Sequence, residues 1–167
     1  MCTIRKTTLS DLDRVMQIYA IAKRYMDEMG NPTQWAKGYP PRDLIEEDIA
    51  RGESYVVLKD GTIHGVFVFM QRIEPTYAYI EDGAWLNDAP YGTIHRVASD
   101  GECRRMFDTI VAYCRAVNEN LRVDTHHDNL PMQKAIERGG FVRCGIIYVE
   151  NGTKRIAYQM PNQKASR

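Results

Sequence analysis

Two histidines stand where a side chain could handle a proton. His95 lies inside a strand candidate, Gly92 to Ala98, and His126 follows another, Leu121 to Thr125, with His127 beside it. An imidazole of ordinary pKa, ~6.5, can take up or release a proton near neutrality. Packing offers the other account: a strand histidine satisfied by backbone, and a histidine pair in a loop that caps the next helix. Adjacent histidines point in different directions, and no further ligands fall at metal spacing, so no metal is expected there. Glu81, in Tyr79-Ile80-Glu81-Asp82, is a rival base at a strand end.

The element that positions His126 is the best specified in the chain. Asn129 is suited to N-cap a helix, since its side-chain oxygen can accept a first-turn amide. Pro131 lies in that first turn, where a missing N–H costs nothing. Met132, Ala135 and Ile136 recur at helical spacing, and Gly139-Gly140 supplies a left-handed stop. A strand that runs into a helix with exposed N-terminal amides is a common ligand-binding arrangement in open sheets.

The preceding chain reads as a strand at Thr3–Thr7, then a helix opened by Ser10-Asp11 with Leu12, Val15, Ile18, Ala22 and Met26 on one stripe. Gln34 to Pro41 is aromatic and turn-rich. A second helix, about Pro41 to Ala50, turns Leu44, Ile45 and Ile49 inward and Glu46, Glu47 and Asp48 toward solvent. Strands at Ser54–Leu58 and Thr62–Met70 are joined by Asp60-Gly61, a strong hairpin signal. Thr76–Glu81 reads as a further strand and Gly83–Tyr91 as a loop. After strand 92–98, a helix from about Glu102 to Val117 has Met106, Phe107, Ile110, Val111, Cys114 and Val117 as its apolar face. A last hairpin pairs Phe141–Val149 with Lys154–Met160 across Asn151-Gly152. The order implies an α/β protein whose mixed, mostly antiparallel central sheet of about seven strands is flanked by about four helices.

The 167 residues suffice for one domain, 1–167, with a sizeable core. Lys plus Arg and Asp plus Glu are both 22, so no net charge favours nucleic acid or an anionic membrane as partner. No apolar run approaches the ~20 residues of a membrane span. The N-terminus lacks the apolar region of a signal peptide, and Cys2, Cys103, Cys114 and Cys144 show no CxxC pair. Together these favour a cytoplasmic protein with reduced thiols. A homodimer is compatible with all of this.

Strand 92–98, helix 102–117, strand 121–125 and helix 129–138 together resemble the core of the GNAT N-acetyltransferase superfamily, and the likeness extends over nearly the whole chain. The family pattern Asn-x-x-Ala-x-x-Leu-Tyr-x-x-x-Gly-Phe is met at Asn129, Gly140 and Phe141. Met132, Ala135 and Ile136 replace its Ala, Leu and Tyr. That Tyr commonly protonates the departing coenzyme A thiolate, which isoleucine cannot do. Tyr148 is a candidate substitute, with core packing as its other role. The second motif, Gln/Arg-x-x-Gly-x-Gly/Ala, falls on Glu102 to Phe107, with Arg105 and Phe107 in the glycine positions.

The resemblance implies an N-acetyltransferase that moves an acetyl group from acetyl-coenzyme A to a primary amine of a small molecule. It places the backbones of His95 and Val97 beside the pantetheine arm, and the amides around Arg104, Arg105, Met106 and Phe107 at the pyrophosphate, with Asn129 capping the neighbouring helix. Helical backbone needs no glycine, so those amides could still face phosphate. Arg104 and Arg105 either pair with the phosphates or obstruct them. His126 and His95 are the expected bases. Trp35, Tyr39, Trp85 and Tyr91 are expected either to wall the amine site, where aromatic faces suit a cation, or to form a satellite core. The alternative function is a protein of this fold that binds acyl-coenzyme A without turnover, as a sensor or interaction module.

Overall fold

The β-branched segments pair into one twisted sheet. The computed structural model describes residues 1–162. Its strands are β1 (Cys2–Lys6), β2 (Ser54–Lys59), β3 (Thr62–Met70), β4 (Gly92–Ser99), β5 (Leu121–Thr125), β6 (Val142–Tyr148) and β7 (Lys154–Gln159), in the spatial order β1-β2-β3-β4-β5-β7-β6. Only β4 and β5 run parallel; the other neighbours are antiparallel. The helices are α1 (Leu12–Glu28), α2 (Arg42–Ala50), α3 (Met106–Val117) and α4 (Leu130–Arg138).

The stripe of Leu12, Val15, Ile18, Ala22 and Met26 is buried, so α1 lies with α2 on one face of the sheet against Val56, Ile63, Val66 and Ala98. A 3-10 turn at Leu9–Asp11 leads into α1, the Thr8 amide donating to the Asp11 carboxylate at 2.8 Å and the Asp11 amide to the Thr8 carbonyl at 3.0 Å. On the other face, α3 and α4 bury Phe107, Ile110, Cys114 and Ile136 against Phe67, Phe69, Ile94 and Val123. Gly65 is required there, because a Cβ would collide with the Met106 sulfur. The hairpin at Asp60-Gly61 has φ +51° and +77°, as a two-residue turn matched to strand twist demands.

Three expectations are corrected. Thr76–Glu81 is not a strand: Glu74 caps a 3-10 turn at Pro75–Tyr77, and only Glu81 pairs, in a single bridge to Ile146. Pro75 at the turn's first position removes a donor that a ladder would need. Helix α3 begins at Met106 rather than near Glu102, and the residues before it form a turn ending in Arg105, whose φ of +51° is left-handed. Asp48 does not face solvent. It is 4% exposed and grips Arg96 of β4 at 2.6 and 3.0 Å.

That ion pair marks an irregularity in β4. Val66 pairs with Ala98 and Val68 with His95, so Arg96 and Val97 together face Phe67 alone. The bulge is accommodated by Arg96 at φ +46°, and the Tyr19 hydroxyl donates to its carbonyl at 3.0 Å.

Candidate active site

The parallel pair is short. Gly92, Thr93 and Ile94 of β4 pair with Leu121, Arg122 and Val123 of β5, after which both strands continue unpaired with each other. The V-shaped gap joins two clefts. One, of about 440 Å³, opens on the α1–α2 face; the other, of about 410 Å³, lies between α1, α4 and the start of α3. Val97, Met132, Asn129 and Met26 line both, so the gap is the passage between them.

The second cleft suits an anion. Upstream of α3, the Gly101 and Glu102 amides are satisfied by Ser99 and Asp100 side chains. The following amides, Cys103 through Phe107, have no acceptor among the described residues, and no side chain caps the helix. The positive end of a three-turn helix, preceded by a left-handed residue, favours an anion at this cleft, which Cys103, Arg105, Met106 and Phe107 line. Arg105 lines this cleft with its side chain exposed, while Arg104 is exposed and lines neither cleft. Met106 and Phe107 bury their side chains and offer the ligand main chain alone. Asn129 accepts the Met132 amide at 3.1 Å, as an N-cap should, and donates to Gln34 at 2.8 Å.

The first cleft holds the proton-handling groups. His95 points into it from β4, with Nε2 2.9 Å from a Glu74 carboxylate oxygen and Nδ1 3.9 Å from Asp124. The Tyr77 hydroxyl donates to the same Asp124 oxygen at 2.6 Å. Burial alone would raise the Glu74 pKa, but the His95 hydrogen bond and charge, with the Thr76 amide and hydroxyl, outweigh it and hold it at about 2. Glu74 is therefore a fixed anion behind the imidazole. Burial first, and then Asp124, push the Tyr77 phenol well above its ordinary range, so it stays a donor.

His126 is placed differently from His95. It is 5% exposed and lines neither cleft. Its Nδ1 accepts the Asp128 amide at 3.1 Å, which leaves Nε2 to donate to Thr33 at 3.2 Å. Burial, then the charges of Arg155 and His127, lower its pKa and favour the neutral ring. It buttresses the loop ahead of α4. His126, His127 and Asp128 do bring ligand-type atoms within 4.8 Å of one another, but the His126 lone pair is already used by that amide.

Glu81 and Tyr148 bond to each other at the sheet edge, with Tyr79 on the other carboxylate oxygen, and neither lines a cleft. Of the four aromatic candidates, Trp35 and Tyr39 wall the first cleft, their rings 5.8 Å apart. Trp85 and Tyr91 instead clasp the Arg122 guanidinium at 4.0 and 3.9 Å. Ile136 is fully buried in the core and reaches neither cleft.

Reasoning from sequence missed Glu74, Asp124 and Arg155. Glu74-Pro75-Thr76 carries a capping signature that could have flagged the first. Asp124 and Arg155 each interrupt an apolar strand, which is the signal for a charge required inside.

No protein-family model matches the chain, and no curated protein matches it. Among solved structures, it is similar to a GNAT-family acetyltransferase from Streptococcus agalactiae 2603, with 28% identity, 98% of this chain and 96% of that chain covered, and a TM-score of 0.88. A GNAT-family acetyltransferase from Listeria monocytogenes 4b F2365 shares the fold at 18% identity, with 95% and 93% covered and a TM-score of 0.70. An N-acetyltransferase from Staphylococcus aureus Mu50 does so at 18%, with 96% and 98% covered and a TM-score of 0.57. All three of these solved structures are named acetyltransferases, and the likeness at 28% identity spans nearly the whole of both chains. The chain belongs to the GNAT superfamily.

Proposed function

We propose that this protein is an acetyl-coenzyme A-dependent N-acetyltransferase acting on a primary amine of a small molecule. The observation that carries the reading is the passage at Val97, which joins a cleft lined with free amides to a cleft containing His95 and Glu74. The donor's pyrophosphate fits the amides of 103–107, and its pantetheine arm fits the gap that β5 leaves beside β4, pairing as an added strand would. The acceptor amine enters from the side of Trp35 and Tyr39.

His95 is the general base in this reading. With Nε2–H donating to Glu74, Nδ1 keeps its lone pair toward the cleft and takes a proton from the incoming ammonium, directly or through water. The Glu74 anion stabilises the imidazolium that forms. The freed nitrogen attacks the thioester carbon, the C–N bond forms, and the tetrahedral intermediate collapses with loss of the C–S bond, the second proton of the nitrogen passing through water to the departing thiolate. The Val97 main chain, which lies in the passage at the β4 bulge, is the donor proposed for the developing oxyanion. The thiolate leaves without a side-chain acid, since Ile136 occupies the position of the family's tyrosine. A thiol of pKa ~8.5 is a tolerable leaving group.

Thermal shift with acetyl-coenzyme A, beside release of free thiol in the presence of an amine panel, tests the proposal. A ligand at 100 times its Kd should stabilise by about 2.7 kcal/mol. Binding without thiol release would favour the non-catalytic reading, which the buried Ile136 supports. The absence of both would overturn donor binding itself.

A further inference from the structure

Three of the strand arginines are largely buried, and they are satisfied in different ways. Arg96 is neutralised by Asp48 at 2.6 Å. Arg122 is covered by two aromatic rings and donates to the Asn87 carbonyl at 2.8 Å. Arg155 has neither a carboxylate partner nor an aromatic cover among the described residues. It is 6% exposed, lines the first cleft, and is clamped by neutral oxygens: the Gln34 carbonyl at 2.7 Å, the Lys154 carbonyl at 2.9 Å and the Thr153 hydroxyl at 3.0 Å. A buried guanidinium held without an anion is costly unless a ligand supplies one.

Its place relative to His95 is set by strand register. Asp124 pairs with Ala157, two residues along β7 from Arg155, so all three side chains leave the same sheet face. His95 follows the Ile94–Val123 pair and stands next to Asp124. Two strand spacings of ~4.8 Å and a two-residue offset of ~3.4 Å per residue separate the backbones of His95 and Arg155 by roughly 12 Å. One end of the cleft therefore carries Glu74 and His95, Asp124 lies between, and the other end carries a guanidinium that feels Asp124 through space but forms no ion pair among the described residues.

We infer that the acceptor is a zwitterion of amino-acid type, its amine toward His95 and Asp124 and its carboxylate on Arg155. Arg155 is thus a specificity-determining residue, and a simple monocationic amine or polyamine would leave the guanidinium unpaired. The inference rests on the transfer reading above and deepens it.

The test uses matched pairs, each an L-amino acid and its decarboxylated amine, such as phenylalanine and phenethylamine. Binding to the coenzyme A-saturated protein is measured by calorimetry, and acetyl transfer is measured by thiol release. A charge-assisted contact corresponds to about 10- to 100-fold in affinity, so the amino acid of at least one pair should bind and react that much better, through KM. Arg155→Gln should abolish the preference by raising KM for the amino acid alone, and Arg155→Lys should restore part of it. Equal or better use of the amines by the wild-type protein overturns the inference. So does an Arg155→Gln variant of unchanged Tm that loses amine and amino acid turnover alike. The two readings fail separately: an amino-acid preference in calorimetry without thiol release removes transfer and keeps the anion site, and thiol release without preference does the reverse.

Discussion

Nε2 of His95 and a carboxylate oxygen of Glu74 lie 2.9 Å apart, and the pair joins β4 to the turn ahead of Pro75–Tyr77. Both residues are largely shielded, with side chains 18% and 12% exposed. An imidazole backed by a fixed anion has one nitrogen committed and the other available. His95→Gln should lower kcat/KM by about 10²–10⁴-fold and remove the rising limb of its pH profile. His126→Gln should keep that limb and instead lower Tm, because it breaks the contacts to the Asp128 amide and Thr33. An unaltered pH profile in His95→Gln would transfer the role of base elsewhere.

Glu74 gives a stability effect with a defined sign. Its pKa falls from an ordinary 4.5 to about 2 on folding. A depressed carboxyl stabilises the fold above its unfolded pKa, and that contribution is lost as pH falls from about 4.5 toward 2. Glu74→Gln should therefore unfold with a shallower pH dependence in that window, with a smaller difference from wild type at pH 3 than at pH 7. Denaturant midpoints at several pH values measure it, and parallel curves for the two proteins would contradict the assignment.

Arg105 occupies a left-handed backbone position, φ +51°, that glycine would adopt without strain. Arg105→Gly should stabilise the free protein by about 1 kcal/mol. The same substitution removes a cation from the rim of the amide cradle, so coenzyme A should bind about tenfold more weakly, at the lower edge of a charge-assisted contact, while a phosphate-free pantetheine thioester is unaffected. Tighter coenzyme A binding would show the arginine to be an obstruction.

Much of the scaffold could be read from periodicity and punctuation. The α1 stripe, the Asp60-Gly61 turn and the Asn129-to-Gly140 helix are all local patterns, and local patterns survive folding when tertiary packing agrees with them. The site was less legible because its geometry is set where pairing stops. Nothing in residues 92–98 or 121–125 announces that β4 and β5 part after Ile94 and Val123, yet that parting brings His95 to a cleft and leaves His126 behind α4. The aromatic residues divided for a similar reason. Trp35 and Trp85 look alike in sequence, but one faces the cleft and the other covers a buried arginine that only the β5–β7 register places beneath it. The α3 start was misjudged because Glu102 to Arg105 have ordinary helix propensity, and the left-handed turn is imposed from outside.

The clasp between Asp48 and Arg96 has a consequence for how this protein can change over generations. Arg96 holds the β4 bulge, and its two anchors, Asp48 and the Tyr19 hydroxyl, belong to the helices that also wall the cleft proposed for the acceptor. The separation of β4 from β5 is therefore fastened from the acceptor side. Drift in α1 or α2 that reshapes the proposed acceptor cleft would at the same time move the edge proposed for the donor. Substitutions that shift this anchor would couple acceptor preference to donor affinity, whereas changes at cleft side chains such as Arg155 or Arg105 leave the two separable.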